Sequence, residues 1–199
     1  MSKFIFLFDL DSTLTKQEIL PTISKELGIY EKMSQLTEST MRGEIPFKQS
    51  FLQRVELLKD IPVSKVSQMI GEIQLNERLI EFVRKNQERC YIVTGNLDVW
   101  IEDLMKKIGM NKNLFSSKAL VKNDYIQDVF SIVDKNAVIS QMVLPFVAVG
   151  DGNNDAEMIA EAEIGIGYGG VREIAPSVLA CASHAIYDEK KLVEFLERL

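Results

Sequence analysis

The sequence predicts an α/β fold, a doubly wound parallel sheet carrying an inserted helical segment. Three observations predict it: short, wholly apolar runs that end in polar residues, helical or irregular stretches between those runs, and one early segment without a convincing strand. Lys3 to Phe8 reads as a strand buried on both faces, ending at Asp9. Residues from about Thr15 to Gly71 offer helical stretches punctuated by Pro21, Gly28, Gly43, Pro46 and Pro62, which suits a helical cap inserted after the first strand. Within it, Phe47, Phe51, Val55 and Leu58 recur at helical spacing. Further strands are expected at Cys90 to Thr94, Phe146 to Gly150 and Ile164 to Ile166, with a hairpin over Ala119 to Phe130 turning at Lys122-Asn123-Asp124 and a helix over Asp134 to Met142. The expected division is a core of residues 1–14 and 72–199 and a cap of residues 15–71.

With 199 residues and 46% apolar content, the chain can bury a substantial core. A formal charge of -6 and the lack of any Lys/Arg run argue against nucleic acid or an anionic membrane, leaving a small molecule as the expected partner. Cys90 lies in an apolar run and Cys181 in a small-residue segment, as reduced thiols would. The apolar stretch before Asp9 is too short for a signal peptide or a membrane span, so a cytoplasmic protein, monomer or homodimer, is expected.

The chemistry concentrates in two acidic pairs. Asp9 and Asp11 stand just beyond the first strand, and Asp151 and Asp155 just beyond the run Phe146 to Gly150. In a doubly wound sheet both loops reach the same edge, at the carboxyl ends of the strands. Carboxylates gathered there need a cation, and Mg²⁺, which prefers oxygen donors and shares them with phosphate, fits. Caps and turns are the plain alternative, and for Asn153 or Asn154 alone it competes evenly. An EF-hand loop fails, because its sixth and twelfth positions would be Leu14 and Leu20, or Ala156 and Ala162.

Other phosphate chemistries lack their residues. Neither cysteine has an arginine six residues on, no GxxxxGK[ST] or GxSxG occurs, and His184, the sole histidine, sits in a small and apolar stretch. An aspartate nucleophile remains. Gly165, Gly167 and Gly170 satisfy GxGxxG, but too little chain follows for a dinucleotide domain, and a loop at the sheet edge is expected there.

Asp9-Leu10-Asp11-Ser12-Thr13, Thr94-Gly95, Lys135 and Gly150-Asp151 to Asp155 together resemble, in order, the four signature motifs of the haloacid dehalogenase superfamily. That resemblance implies a Rossmann-like core in which Asp9 is the nucleophile and Asp11 the acid/base. It also implies that Thr94 and Lys135 bind phosphoryl oxygens, with Gly95 and Asn154 beside them. Mg²⁺ would be held by Asp9, the Leu10 carbonyl and Asp151, with Asp11 and Asp155 completing the acidic set. Such a site fits phosphoryl transfer, which depends on positioning and charge neutralisation. Outside the resemblance, Lys135 reads as a solvated lysine opening a helix.

The cap resembles that of phosphoserine phosphatases at Glu18, Met41-Arg42-Gly43, Phe47 and Arg54-Val55-Glu56-Leu57-Leu58-Lys59-Asp60. This implies that Glu18 meets a substrate ammonium, Arg54 its carboxylate, and Met41 and Phe47 close the pocket against water, in an enzyme of serine biosynthesis acting on O-phosphoserine. By helix statistics alone, Glu18 and Arg54 are solvated charges. Thr94-Gly95-Asn96 departs from the usual Ser-Gly-Gly, which leaves open another small phosphomonoester. A non-hydrolytic phospho-acceptor module is the reading from another class, against which Asp11 argues.

Overall fold

The computed structural model describes residues 4–143 and 145–199. Lys3, expected to open the first strand, lies outside them. The elements run β1 (Ile5–Phe8), α1 (Ile19–Glu26), α2 (Tyr30–Met41), α3 (Phe47–Leu58), α4 (Val63–Gly71), α5 (Glu77–Lys85), β2 (Cys90–Leu97), α6 (Glu102–Ile108), β3 (Leu114–Lys122), β4 (Tyr125–Ser131), α7 (Lys135–Ile139), β5 (Phe146–Gly150), α8 (Ala156–Ala160), β6 (Ile164–Tyr168), α9 (Pro176–Leu179), β7 (His184–Ile186) and α10 (Glu189–Leu196).

The strands form one sheet in the order β4-β3-β2-β1-β5-β6-β7, parallel except for the β3–β4 hairpin. β1 is central, which explains its continuous apolar run: every residue is buried. Alternation along it feeds two cores. Phe6 and Phe8 join Ile80, Phe82, Leu104 and Leu192 on one face; Ile5 and Leu7 join Val138, Met158 and Val178 on the other. The expected α/β architecture is the one observed.

Some details differ. β6, expected at Ile164 to Ile166, continues to Tyr168, bonded to β5 and β7, so Gly167 as well as Gly165 is a strand residue and the expected edge loop begins after it. The cause is packing, since a Cβ on Gly165 would strike the Ile159 carbonyl of α8. The helix expected over Asp134 to Met142 is only Lys135–Ile139, opened by the Asp134 side chain, which accepts from the Asn136 N–H. The hairpin's first strand begins at Leu114, because its N-terminal half pairs with β2.

Helices α1 to α4 leave and rejoin the core at a narrow neck. Thr15 and Leu75 form a β-bridge; the Lys16 N–H donates to the Gln74 carbonyl (2.8 Å), the Asn76 N–H to the Leu14 carbonyl (2.9 Å) and Asn76 Nδ2 to the Thr13 carbonyl (2.7 Å). Pro21 lies in the first turn of α1, where its missing N–H costs nothing, and Pro46 and Pro62 immediately precede α3 and α4. Among the described residues, no helix is long and apolar enough to cross a membrane.

Candidate active site

Strand order builds the site. β2, β1 and β5 are neighbours, so Thr94, Asp9 and Asp151 emerge side by side at one edge of the sheet. β2 shifts register between Thr94 and Leu97, a bulge that holds Gly95 and Asn96 out of regular pairing. Gly150 precedes Asp151 because a Cβ there would lie 2.6 Å from Oδ2 of Asp155.

Asp9, Asp151 and Asp155 each offer an oxygen within 4.8 Å of the others, all buried. Lys135, only 6% exposed, is not solvated: its Nζ donates to Asp9 Oδ1 (2.6 Å) and to Asp155 Oδ1. Oδ2 of Asp155 accepts the N–H groups of Asp151 (3.1 Å) and Gly152 (2.8 Å), so one carboxylate fixes both the loop and the lysine.

The electrostatics show the cost of gathering these carboxylates. Burial, reinforced by Asp155 and opposed by Lys135, pushes Asp9 up to about 7. Burial and then Asp155 and Asp9 raise Asp151 well above the carboxylate range. Burial opposes a charge on Lys135, but Asp155 and Asp9 outweigh it and raise its pKa. A buried all-oxygen trio with this excess of negative charge fits a hard divalent cation such as Mg²⁺.

Asp11 and Leu10, the other two expected ligands, have bonding partners of their own. Asp11 falls outside the trio; its Oδ1 accepts the Ile19 N–H at 2.8 Å, at the start of α1. Its pKa is raised by burial, against the pull of that N–H, Arg54 and Arg172. The Leu10 carbonyl is committed to the N–H groups of Leu14 (3.0 Å) and Thr15 (3.1 Å) and to the Thr15 hydroxyl (3.3 Å). Its lone pairs are engaged in the turn that follows β1.

The cap closes the cavity, bringing Glu18, Met41, Phe47 and Arg54 over Asp9, Asp11, Thr94, Gly95 and Asn154. Arg54 is buried, its guanidinium lying 5.7 Å from the Phe47 ring centroid and 5.8 Å from that of Phe51. Its Nε has no hydrogen-bond partner, and burial lowers its pKa to about 10 against the attraction of Asp11. A desolvated guanidinium so placed is a receptor for an anion.

Several residues were not anticipated. Asn96 Nδ2 and N–H both donate to Thr94 Oγ1 (3.2 Å), and Thr13 Oγ1 donates to Asp151 (3.4 Å). Asn153 ties cap to core: Nδ2 donates to the Thr40 carbonyl (3.0 Å) and to that of Met41, while Oδ1 accepts the Ser177 hydroxyl. Most consequential is Arg172, which pairs with Glu18 and reaches Asp151 Oδ2 at 3.4 Å. Its signal was positional: a cation just beyond a parallel strand arrives at the same edge as Asp9.

The sequence profile of the haloacid dehalogenase-like hydrolases matches residues 6–160. Phosphoserine phosphatase of Methanocaldococcus jannaschii is 33% identical over 181 residues, covering 83% of this chain and 85% of that protein. The Archaeoglobus fulgidus phosphoserine phosphatase is also 33% identical over 83% of this chain, which spans 52% of its length. A solved substrate-bound phosphoserine phosphatase complex superposes with a TM-score of 0.81 at 29% identity, covering 100% of this chain and 99% of that one. A phospho-aspartyl intermediate analogue of phosphoserine phosphatase gives 0.80 at 29% identity, with coverage of 98% and 99%.

Proposed function

The chain belongs to the haloacid dehalogenase-like hydrolase family, and from that premise we propose that it is a Mg²⁺-dependent phosphatase that hydrolyses O-phosphoserine through a phosphorylated Asp9. The observation that carries the proposal is the buried Asp9 carboxylate, held at 2.6 Å by Lys135 inside an acidic trio and roofed by a cap that presents Arg54.

Asp9 attacks phosphorus, forming an acyl phosphate as the ester bond breaks. Asp11 protonates the leaving seryl oxygen; burial, which raises its pKa, favours the protonated form that this role needs. Asp11, now ionised, then takes a proton from water, whose oxygen attacks phosphorus and releases Asp9 and phosphate. Lys135 stays protonated and, with Thr94, Gly95 and Asn154, steadies the phosphoryl oxygens. Bound at Asp9, Asp151 and Asp155, Mg²⁺ would offset their charge and that of the phosphoryl group. Arg54 receives the substrate carboxylate, Glu18 stands on the ammonium side, and Met41 and Phe47 exclude water.

The division at residues 15–71 belongs to the same proposal and is supported by the Thr15–Leu75 neck. So does a cytoplasmic setting, supported by two free cysteines, of which burial raises Cys90 to about 12. A panel of phosphomonoesters assayed with and without Mg²⁺ tests the reading; phosphate release that ignores the metal, or a clear preference for esters without a carboxylate, would overturn it.

A further inference from the structure

Thr94 Oγ1 accepts two hydrogen bonds from a single residue, Asn96, whose backbone N–H and side-chain Nδ2 both donate to it at 3.2 Å. Thr94 and Asn96 are buried, and both line the cavity that holds Asp9. A hydroxyl has one proton to give and two lone pairs with which to accept. Asn96 fills both lone pairs, and among the described residues the hydroxyl proton has no acceptor. The proton is left for an acceptor that enters the cavity.

The backbone half of this grip is set from behind. Ser117 Oγ donates to the Gly95 carbonyl at 2.7 Å and accepts the Val133 N–H at 3.1 Å, which pins the peptide between Gly95 and Asn96. Carbonyl and N–H point opposite ways across a trans peptide, so pinning the one aims the other at Thr94. The side-chain half depends on the identity of residue 96, since a glycine there would leave the backbone N–H alone and one lone pair free. With a lone pair free, the hydroxyl could turn its proton in more than one direction. The Asn96 amide also meets Asp11, whose pKa is raised by burial and drawn back by that hydrogen bond among others.

We infer that Asn96 is a positioning residue that poses the Thr94 hydroxyl as a donor to the transferring phosphoryl group. This rests on the phosphatase reading above and deepens it. Asn96 acts through Thr94 and not on the substrate headgroup, so its effect belongs to the phosphoryl step common to every ester.

Steady-state kinetics of Asn96→Ala, Thr94→Val and the double variant, on O-phosphoserine and on p-nitrophenyl phosphate with Mg²⁺, test this. Asn96→Ala should lower kcat about tenfold on both substrates with KM within about twofold, a smaller loss than deleting an oxyanion donor outright. In the Thr94→Val background, which has no hydroxyl to pose, the same substitution should cost less than about twofold. Thr94→Ser keeps the hydroxyl and should stay within about threefold of wild type, which leaves the inference open to refutation even if Asn96→Ala does not fold. An equal loss from Asn96→Ala with and without the hydroxyl, a loss confined to phosphoserine, or a Thr94→Ser variant as slow as Thr94→Val overturns the inference and leaves the phosphatase reading intact. Failure of the wild-type protein to release phosphate from either ester in Mg²⁺ overturns the phosphatase reading itself, and the posing of Thr94 falls with it.

Discussion

Phe47 of the cap lies so close to Gly95 of the core that a Cβ added at Gly95 would overlap the ring, coming within 3.0 Å of Cε1 and 3.1 Å of Cε2. Gly95 follows Thr94 in the β2 bulge, so the contact joins cap closure to the phosphate end of the site. Gly95→Ala should keep the fold and hold the cap ajar, lowering kcat by about 10²-fold, in the range reported for displaced catalytic geometry. Steady-state kinetics beside a circular dichroism melt check this; unchanged kcat would place closure elsewhere.

Asn153 is the polar counterpart of that contact, donating to the carbonyls at the end of α2. Asn153→Ala removes the donor without filling space, and each hydrogen bond is worth about 1 kcal/mol. A rise in KM of about fivefold with little change in melting temperature is expected, and limited proteolysis should show faster cleavage within residues 27–46.

Asp9→Asn retains the shape of the side chain but removes the nucleophile and the partner of Lys135. Turnover should fall by more than about 10³-fold, with no hydroxylamine-labile phosphate on the protein. Radiolabelled substrate followed by acid quench measures both, and residual labelling of the variant would assign the nucleophile elsewhere.

Arg54→Ala is expected to act on substrates with a carboxylate. A hydrogen bond to a charged group contributes about 1.5–3 kcal/mol, so kcat/KM for phosphoserine should drop roughly 10- to 150-fold. Hydrolysis of p-nitrophenyl phosphate should change by no more than a few-fold. An equal loss on both would make Arg54 a packing residue of α3.

The raised carboxylates predict an unusual stability profile in chelator. Asp9 titrates near 3.8 when unfolded and about 7 when folded, so the folded state holds its proton more tightly. Its contribution to stability is fully present below pH 3.8 and is lost as pH rises through about 7; Asp11 and Asp151 act in the same direction. Metal-free protein should therefore lose melting temperature between pH 5 and pH 7.5, and Mg²⁺ should restore it most at the higher pH. Asp151→Asn should flatten the loss, and an equally steep loss in that variant would trace it to other groups.

The sequence made the centre of the molecule legible and its periphery less so. β1 and β5 are apolar along their whole length because both faces are covered, and each delivers an aspartate pair, which is why Asp9 and Asp151 could be read directly. β7 is three residues long and carries no periodicity, and β6 was legible at Ile164 to Ile166 but not in its last two residues, where Gly167 interrupts the apolar run. The turn at the Leu10 carbonyl was illegible for a different reason, since hydrogen bonds from the backbone of a turn leave no mark on residue identity. Arg172 lies between strands in a glycine-rich stretch, and only the topology of β6 brings it to Glu18.

At the neck, Thr15 and Leu75 sit opposite each other in a single β-bridge, so the polypeptide between them begins and finishes at one point. The intervening helices form a cassette whose removal leaves two ends that a short turn could splice, with little loop-closure entropy at stake. Headgroup preference could then be exchanged by transplanting a lid, while the phosphoryl machinery on the sheet edge is inherited unchanged.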